Sequence, residues 1–262
     1  MIWLGTTYRM RDEYAKAEKM LLEGRDILTR IDGGRGVADA TWELGYLHLC
    51  RDEYDEAEAS FNTASEFYKQ GGDVKDGADT CWALGYLHRL RGEYPKAKAL
   101  YTEAKEVYVQ IGYPEYLAET YLGLGHIHQV EGDITMAEAS YTEARAIFSR
   151  IGSKGRAALS GVGLGDIHRL RHQYDEAEVL YIGALDVFTQ IGCPRNLSDT
   201  LFALAQLRDH QNPDKEAERL FKEACSIYRG LGVEKEALKC DAKLKDLYQK
   251  MGSSMEAHGQ VE

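Results

Sequence analysis

"LGYLHRLRGEY", residues Leu84–Tyr94, carries a histidine, two arginines, an acid and two tyrosines within eleven residues. Such a mixture could border an active site or belong to a structural joint. The rest of the chain decides, because the phrase returns. It reads LGYLHLCRDEY from Leu44, LGHIHQVEGDI from Leu124 and LGDIHRLRHQY from Leu164. Degenerate copies, LGTTYRMRDEY and LAQLRDHQNPD, begin at Leu4 and Leu204.

The spacing is constant. Leu4, Leu44, Leu84, Leu124, Leu164, Leu204 and Leu244 recur every 40 residues without an insertion or deletion. Thirteen residues after each of the first six comes alanine: Ala17, Ala57, Ala97, Ala137, Ala177 and Ala217. Four further on stands a large apolar residue (Leu21, Phe61, Tyr101, Tyr141, Tyr181, Phe221), and three beyond it alanine returns from Ala64 to Ala224. Spacings of three and four place these residues on one helical face. A fixed period of this length marks a repeat architecture, in which each unit buries its apolar face against its neighbours.

Each unit reads as two helices. In the second unit, helix A is expected over Val37–Arg51 and helix B over Asp55–Gln70, joined by the turn RDEY. Gly72, Gly112, Gly152, Gly192 and Gly232 stand where helix B should end, as C-terminal caps. Pro95 and Pro213 are read as lying in the first turn of a helix B, where a missing N–H costs nothing. Pro114 and Pro194 are read as loop residues before helix A.

Leucine-glycine, then alanine, a bulky residue and alanine again resembles the tetratricopeptide repeat. The likeness runs from Leu4 to about Met251. It implies an all-α, right-handed superhelical solenoid of thirteen helices in antiparallel pairs, without strands. About six units are expected, at 1–34, 35–74, 75–114, 115–154, 155–194 and 195–233. A capping helix over 234–251 and a disordered tail over 252–262 complete the expected organisation. Two departures from the family pattern stand out. The period is 40 residues rather than 34, and Lys69, Val109, Ser149, Thr189 and Arg229 replace the proline that closes helix B. Six extra residues add ~9 Å of helix per unit. Armadillo and HEAT repeats have similar lengths but lack the alanine signature.

Composition limits the functions to consider. With 32 basic and 43 acidic residues the net charge is −11, which disfavours nucleic acid and anionic membranes as partners. No run approaches ~18 consecutive apolar residues, and MIWLGTTYRM lacks the features of a signal peptide. The plain expectation is a soluble cytoplasmic protein. The five cysteines form no C-x-x-C pair and no zinc spacing, so they read as small apolar thiols in a reduced compartment.

His48, His88, His128 and His168 follow the repeat leucine by four residues, on the face that packs on helix B. The family usually has tyrosine there, and the first unit keeps Tyr8. A metal ladder would need ligands ~2.0–2.1 Å from one ion, whereas neighbouring helices pack ~8–10 Å apart. These histidines are therefore expected to hold the fold. Arg11, Arg51, Arg91 and Arg171 should complement the helix C-terminus and pair with acids such as Glu53 and Glu93. "SGVGLGD", Ser160–Asp166, resembles a phosphate-binding loop but falls inside a helix A, so close packing or a kink is the better reading. No nucleophile–base pair survives the repeat alignment. Neither an enzyme, a cofactor nor a metal is expected.

In the family the A helices line a concave binding surface. Opposite the core stripe of the second unit lie Asp39, Trp42, Tyr46 and Leu49. The later units contribute Asp79, Trp82, Tyr86 and Arg89; Glu119, Leu122, His126 and Gln129; Leu159, Val162, Asp166 and Arg169; then Asp199, Phe202, Gln206 and Asp209. Trp42, Tyr46, Trp82, Tyr86, Arg89, His126, Gln129 and Arg169 are the candidate partner-binding residues. Trp3 extends the aromatic group. Aromatic residues and arginine commonly anchor interfaces, so Trp82 and Tyr86 are expected to be apolar anchors, with Arg89 pairing an acid or a carbonyl. The alternative is that Trp42 and Trp82 pack against the adjacent unit. Neither the lysine- and asparagine-rich clamp of chaperone-binding members nor the asparagine ladder of other 40-residue members occurs here.

The first helix A is only half present, which points to a chain cut from a longer protein or a misplaced start codon. At the other end Lys239, Lys243, Asp246 and Lys250 should form the polar outer face of a capping helix. The leading functional expectation is a non-catalytic scaffold that binds proteins or peptides in its groove. The alternative is a ligand-sensing or oligomerisation segment of a multidomain receptor. The repeats are similar in style to arrays attached to signal-transduction NTPases, including those of mushroom-forming fungi.

Overall fold

The computed structural model describes residues 1–31 and 33–259, the last seven of them as helical backbone only. Among the described residues there are thirteen α-helices and no strand. They are α1 (Ile2–Arg9), α2 (Tyr14–Arg30), α3 (Gly34–Cys50), α4 (Tyr54–Gly71), α5 (Val74–Leu90), α6 (Tyr94–Ile111) and α7 (Pro114–Glu131), followed by α8 (Ile134–Arg150), α9 (Lys154–Leu170), α10 (Tyr174–Ile191), α11 (Pro194–Gln211), α12 (Lys215–Gly230) and α13 (Glu234–Gly259). Odd-numbered helices are the A helices of the repeat and even-numbered ones the B helices. The chain forms two compact units, Met1–Ile127 and His128–Glu262. Consecutive helices pack on one another from α1 to α6 and from α8 to α13, and α1 also meets α3, as α9 meets α11.

The repeat residues explain this packing. Ala17, Ala57, Ala97, Ala137, Ala177 and Ala217 are all completely buried, where two backbones approach too closely for a larger side chain. The bulky residue four positions later is buried as well, and it lies on the glycine of the leucine-glycine pair. A Cβ at Gly45 would stand 2.7 Å from the Phe61 ring, and one at Gly85 would stand 2.9 Å from Tyr101. The repeated glycine is therefore a seat for a ring.

SGVGLGD has the same cause. A Cβ on Gly163 would meet Tyr141 at 2.7 Å, and one on Gly165 would meet Tyr181 at 2.7 Å. Close packing accounts for both, inside the uninterrupted helix α9.

Several boundaries depart from expectation. Helices A and B of the second unit each begin earlier than the apolar pattern indicates, at Gly34 and Tyr54. Pro114 and Pro194 are the first residues of α7 and α11 rather than loop residues, since proline's fixed φ suits N1. Pro213 lies outside α12, which Asp214 caps by accepting from the N–H groups of Glu216 and Ala217. The expected C-terminal caps are present, with Gly72, Gly112 and Gly192 in the left-handed region at the ends of α4, α6 and α10.

Three of the histidines tie their A helices, α3, α5 and α9, to the turn that follows. His48 Nδ1 lies 2.6 Å from Glu53 Oε2, His88 Nδ1 lies 3.0 Å from Glu93 Oε2, and His168 Nδ1 lies 3.0 Å from Gln173 Oε1. The arginines reach further than expected, because the adjacent B helix is nearer than their own turn. Arg51 pairs with Glu18 at 2.9 Å and only marginally with Glu53 at 4.0 Å. Arg91 pairs with Glu58 and Asp55, and Arg171 with Glu138 at 2.7 Å. These ion pairs stitch helix A of one repeat to helix B of the repeat before it. His88→Tyr, which installs the residue already present at Tyr8, should shift stability by less than ~1.5 kcal/mol. Urea unfolding of the variant measures this.

Helix α13 covers the last B helix. Lys239 and Lys243 are exposed, as expected of a cap, but Lys250 turns back to hold the buried Asp209 carboxylate at 2.8 Å. The expected tail falls largely on residues 253–262, whose side chains lie outside the described residues, as residues 260–262 do altogether. Among the described residues no helix is long and apolar enough to cross a membrane.

Candidate functional site

Within the first unit the aromatic residues of α3, α5 and α7 converge. The Trp42 ring centroid lies 4.5 Å from that of Tyr46, and Tyr46 meets Phe61 edge-on at 5.2 Å. Trp82 stacks on Tyr86 at 5.7 Å, touches Tyr101 at 6.5 Å and meets Tyr116 of α7 edge-on at 5.5 Å. Trp42 and Trp82 are half-buried and pack against the buried core residues of their own and adjacent helices. Both indole N–H groups are shut off from solvent without a hydrogen-bond partner. Much of the aromatic surface expected in the groove is thus spent on packing between repeats.

Arg89 lies over the Tyr86 ring at 4.9 Å, and Arg9 over Tyr46 at 5.4 Å. Arg9 also bonds to Glu43 at 3.2 Å. Leu49, expected in the groove, is buried in the core instead. His126 is half-buried on α7. Two further candidates lie in the second unit and have partners there. Gln129 accepts the Tyr141 hydroxyl at 2.7 Å, and Arg169 bonds to Asp166 at 3.3 Å, while Asp166 accepts from Tyr181 at 2.7 Å.

A concavity of about 420 Å³ in the first unit is lined by α1, α3, α5 and α7 together with Tyr68 of α4. Its walls are Ile2, Trp3 and Thr6; Asp39, Trp42 and Glu43; Lys75, Asp76 and Asp79; and Tyr116. Four successive A helices therefore share one hollow. Only Asp39, Trp42 and Asp79 of the repeat-derived groove stripe lie in it, along with the separately noted Trp3. Tyr46, Trp82, Tyr86 and Arg89 are not among its lining residues. The hollow lies along the N-terminal halves of α3, α5 and α7, while Tyr86 and Arg89 lie against each other further along α5.

Two of its carboxylates also hold the fold. The Tyr68 hydroxyl donates to Asp39 at 2.7 Å, and the Tyr108 hydroxyl donates to Asp79 at 2.8 Å. The second unit repeats the arrangement, with Tyr228 donating to Asp199 at 2.8 Å. Each pair is separated by 29 residues. Where helix B carries Phe148 or Phe188 instead, the matching helix A residue is Glu119 or Leu159. That internal co-variation was available in the sequence, and a groove stripe read one helix at a time missed it.

Asp79 is 6% exposed and has two partners, Tyr108 and Lys75, the latter at 2.7 Å. Tyr108→Phe removes a donor from a buried carboxylate and should cost ~1–3 kcal/mol. Phe188→Tyr, by contrast, would offer a hydroxyl to the repeat whose matching position is Leu159 and should bring no comparable gain. Paired denaturant titrations distinguish the two.

The buried phenols also set an alkaline limit. Desolvation by burial raises the Tyr101 pKa to about 12, and it likewise raises those of Tyr68, Tyr108, Tyr181 and Tyr228. A phenol whose folded pKa exceeds its unfolded value contributes stability below pH ~10 and loses it as pH rises towards the folded pKa. Stability should therefore fall steeply above pH ~10. The phenolate absorbance of these residues should appear together with loss of the helical signal.

The comparisons agree with this architecture. A family profile described as Tetratricopeptide repeat matches residues 1–70, 78–150 and 155–230. No curated protein matches. Among solved structures, the apo form of RapI superposes with a TM-score of 0.79 at 11% identity, over 97% of this chain and 91% of that one. A Rap protein complexed with competence and sporulation factor gives 0.69 at 15% identity, over 96% and 75%. A signal-transduction ATPase with a tetratricopeptide repeat sensor from Pyrococcus horikoshii gives 0.70 at 16% identity, over 97% of this chain and 43% of that protein. With its repeat residues seated as described and its profile match spanning three long segments, the chain belongs to the tetratricopeptide repeat family.

Proposed function

We propose that the protein is a non-catalytic scaffold that binds a protein or peptide partner on the face formed by its A helices. The observation that carries this reading is the hollow shared by α1, α3, α5 and α7. A surface built from four equivalent helices suits an extended ligand, which can meet each helix in turn. The similar Rap protein whose structure contains competence and sporulation factor supports the same use of the fold. Within the first unit the contact surface runs from the hollow along Trp42, Tyr46, Trp82, Tyr86 and Arg89.

Selection of peptides from a random display library on the intact chain tests this. Selected peptides should lose binding to Trp3→Ala or to the double variant Tyr86→Ala, Arg89→Ala, and keep it with Glu66→Ala, Glu106→Ala on the exposed faces of α4 and α6. Loss of a true anchor should weaken binding by ~2 kcal/mol, around thirtyfold. Dependence on the B-helix pair instead would place the contact on the outside and overturn the reading.

A second reading is the ligand-sensing or oligomerisation segment of a larger receptor. It is favoured by the likeness to the Pyrococcus horikoshii signal-transduction ATPase, whose repeats are described as a sensor. A nucleotide-binding domain encoded in the same gene would support it.

A further inference from the structure

We propose that the hollow in the first unit is a cation pocket that takes an arginine or lysine side chain of the bound partner. The inference rests on the scaffold reading above and specifies the ligand chemistry at one place on the A-helix face.

The charge balance comes first. Asp39, Glu43, Asp76 and Asp79 line the hollow, and Asp73 stands beside them at the start of α5. The cations that answer them are Arg9 on Glu43, Arg35 on Asp73 and Asp76, and Lys75 on Asp76 and Asp79. Five carboxylates against three cations leave two negative charges. Asp39 is the least compensated. Its partner is the neutral Tyr68 hydroxyl, and among the described residues no lysine or arginine forms an ion pair with it.

The walls have a second property that points the same way. Trp3, Trp42, Tyr68 and Tyr116 supply aromatic surface around those carboxylates, and Trp3 is 87% exposed at the edge. Aromatic faces with nearby carboxylates attract a cation through both ring quadrupole and charge. Lys75 already shows this chemistry from within the molecule. Its ammonium lies 4.9 Å from the Tyr113 ring centroid while it pairs with Asp79 at 2.7 Å. The remaining space, about 420 Å³, is ample for a guanidinium on its stem. A carboxylate-bearing ligand would meet repulsion here, and a purely apolar one would leave the acids desolvated and unpaired. The Trp42 indole N–H, a donor without a partner, adds a group that a peptide carbonyl could satisfy once the ring adjusts. The net charge of −11 draws basic peptides towards the molecule at long range.

The three tryptophans make the test direct, since the chain should give three indole N–H signals in a nitrogen-15 correlation spectrum. Trp42→Phe assigns the signal of interest. The probes are acetyl-Gly-Arg-Gly-amide and the same peptide with citrulline, which keeps the shape and removes the charge. The arginine peptide should move the Trp42 signal saturably, and the citrulline peptide should bind about tenfold more weakly or not at all. Asp39→Asn, which keeps an acceptor for Tyr68, and the double change Asp39→Asn, Asp76→Asn should each weaken the arginine peptide while leaving helical content intact. Equal binding of the two peptides, no saturable shift, or indifference to both variants would overturn the cation pocket. The library selection separates this from the broader reading. Inner-face peptides without enrichment of arginine or lysine would overturn the pocket and leave the scaffold standing. Absence of any inner-face peptide would remove the scaffold itself.

Discussion

Tyr101→Ala is expected to lower the unfolding free energy by ~3–5 kcal/mol, among the largest effects of a single truncation in the first unit. The ring is 1% exposed and is gripped from two sides. A Cβ on Gly85 of α5 would come within 2.9 Å of it, and one on Gly123 of α7 within 2.7 Å. Both glycines already give up side-chain packing to admit the ring, so its removal leaves a cavity that neither can refill. Trp82, which lies on the ring at 6.5 Å, loses support as well. The effect should therefore reach past stability, with tryptophan fluorescence changing in the folded state. Tyr101→Phe, which keeps the ring, should retain most of the stability. Urea titrations of the two variants measure the difference, and a loss below ~1.5 kcal/mol for the alanine change would contradict the account of the glycine seats.

Ala97→Trp should do comparable harm by the opposite route. Ala97 has no exposed surface and stands in the cluster of Tyr101, Leu124 and Ile127. Inserting an indole there forces α6 off its neighbours, at ~1–3 kcal/mol or more. Repeat proteins are stabilised largely by contacts between neighbouring units, so the damage should be local. Hydrogen exchange is expected to accelerate in α5, α6 and the first part of α7, while the second compact unit keeps its protection. Uniform acceleration across both units would show that the chain unfolds as one body.

The sequence by itself determined the repeat. The unbroken period of 40, the alanines from Ala17 to Ala217 and the leucine-glycine pairs carried the all-α fold and the helix pairs, because close packing of two helices tolerates only small residues where backbones meet. The structural role of His48 and His88 was legible from their place four residues after the repeat leucine, but not their partners, since the sequence assigned Glu53 and Glu93 to the arginines. The position of a hollow was not legible. Periodicity tells which face of one helix turns away from its partner, and it placed Leu49 with Trp42 on that face although Leu49 is buried. Burial there depends on how the next A helix leans, a property of pairs of units that no single stripe contains. The same holds for Arg51 and Arg91, which reached the preceding B helix rather than their own turn. Only the tertiary structure brought Asp39, Glu43, Asp76 and Tyr116 from three separate helices to one wall. Their distances along the chain follow no short-range rule, because that wall is set by the spacing of stacked helices.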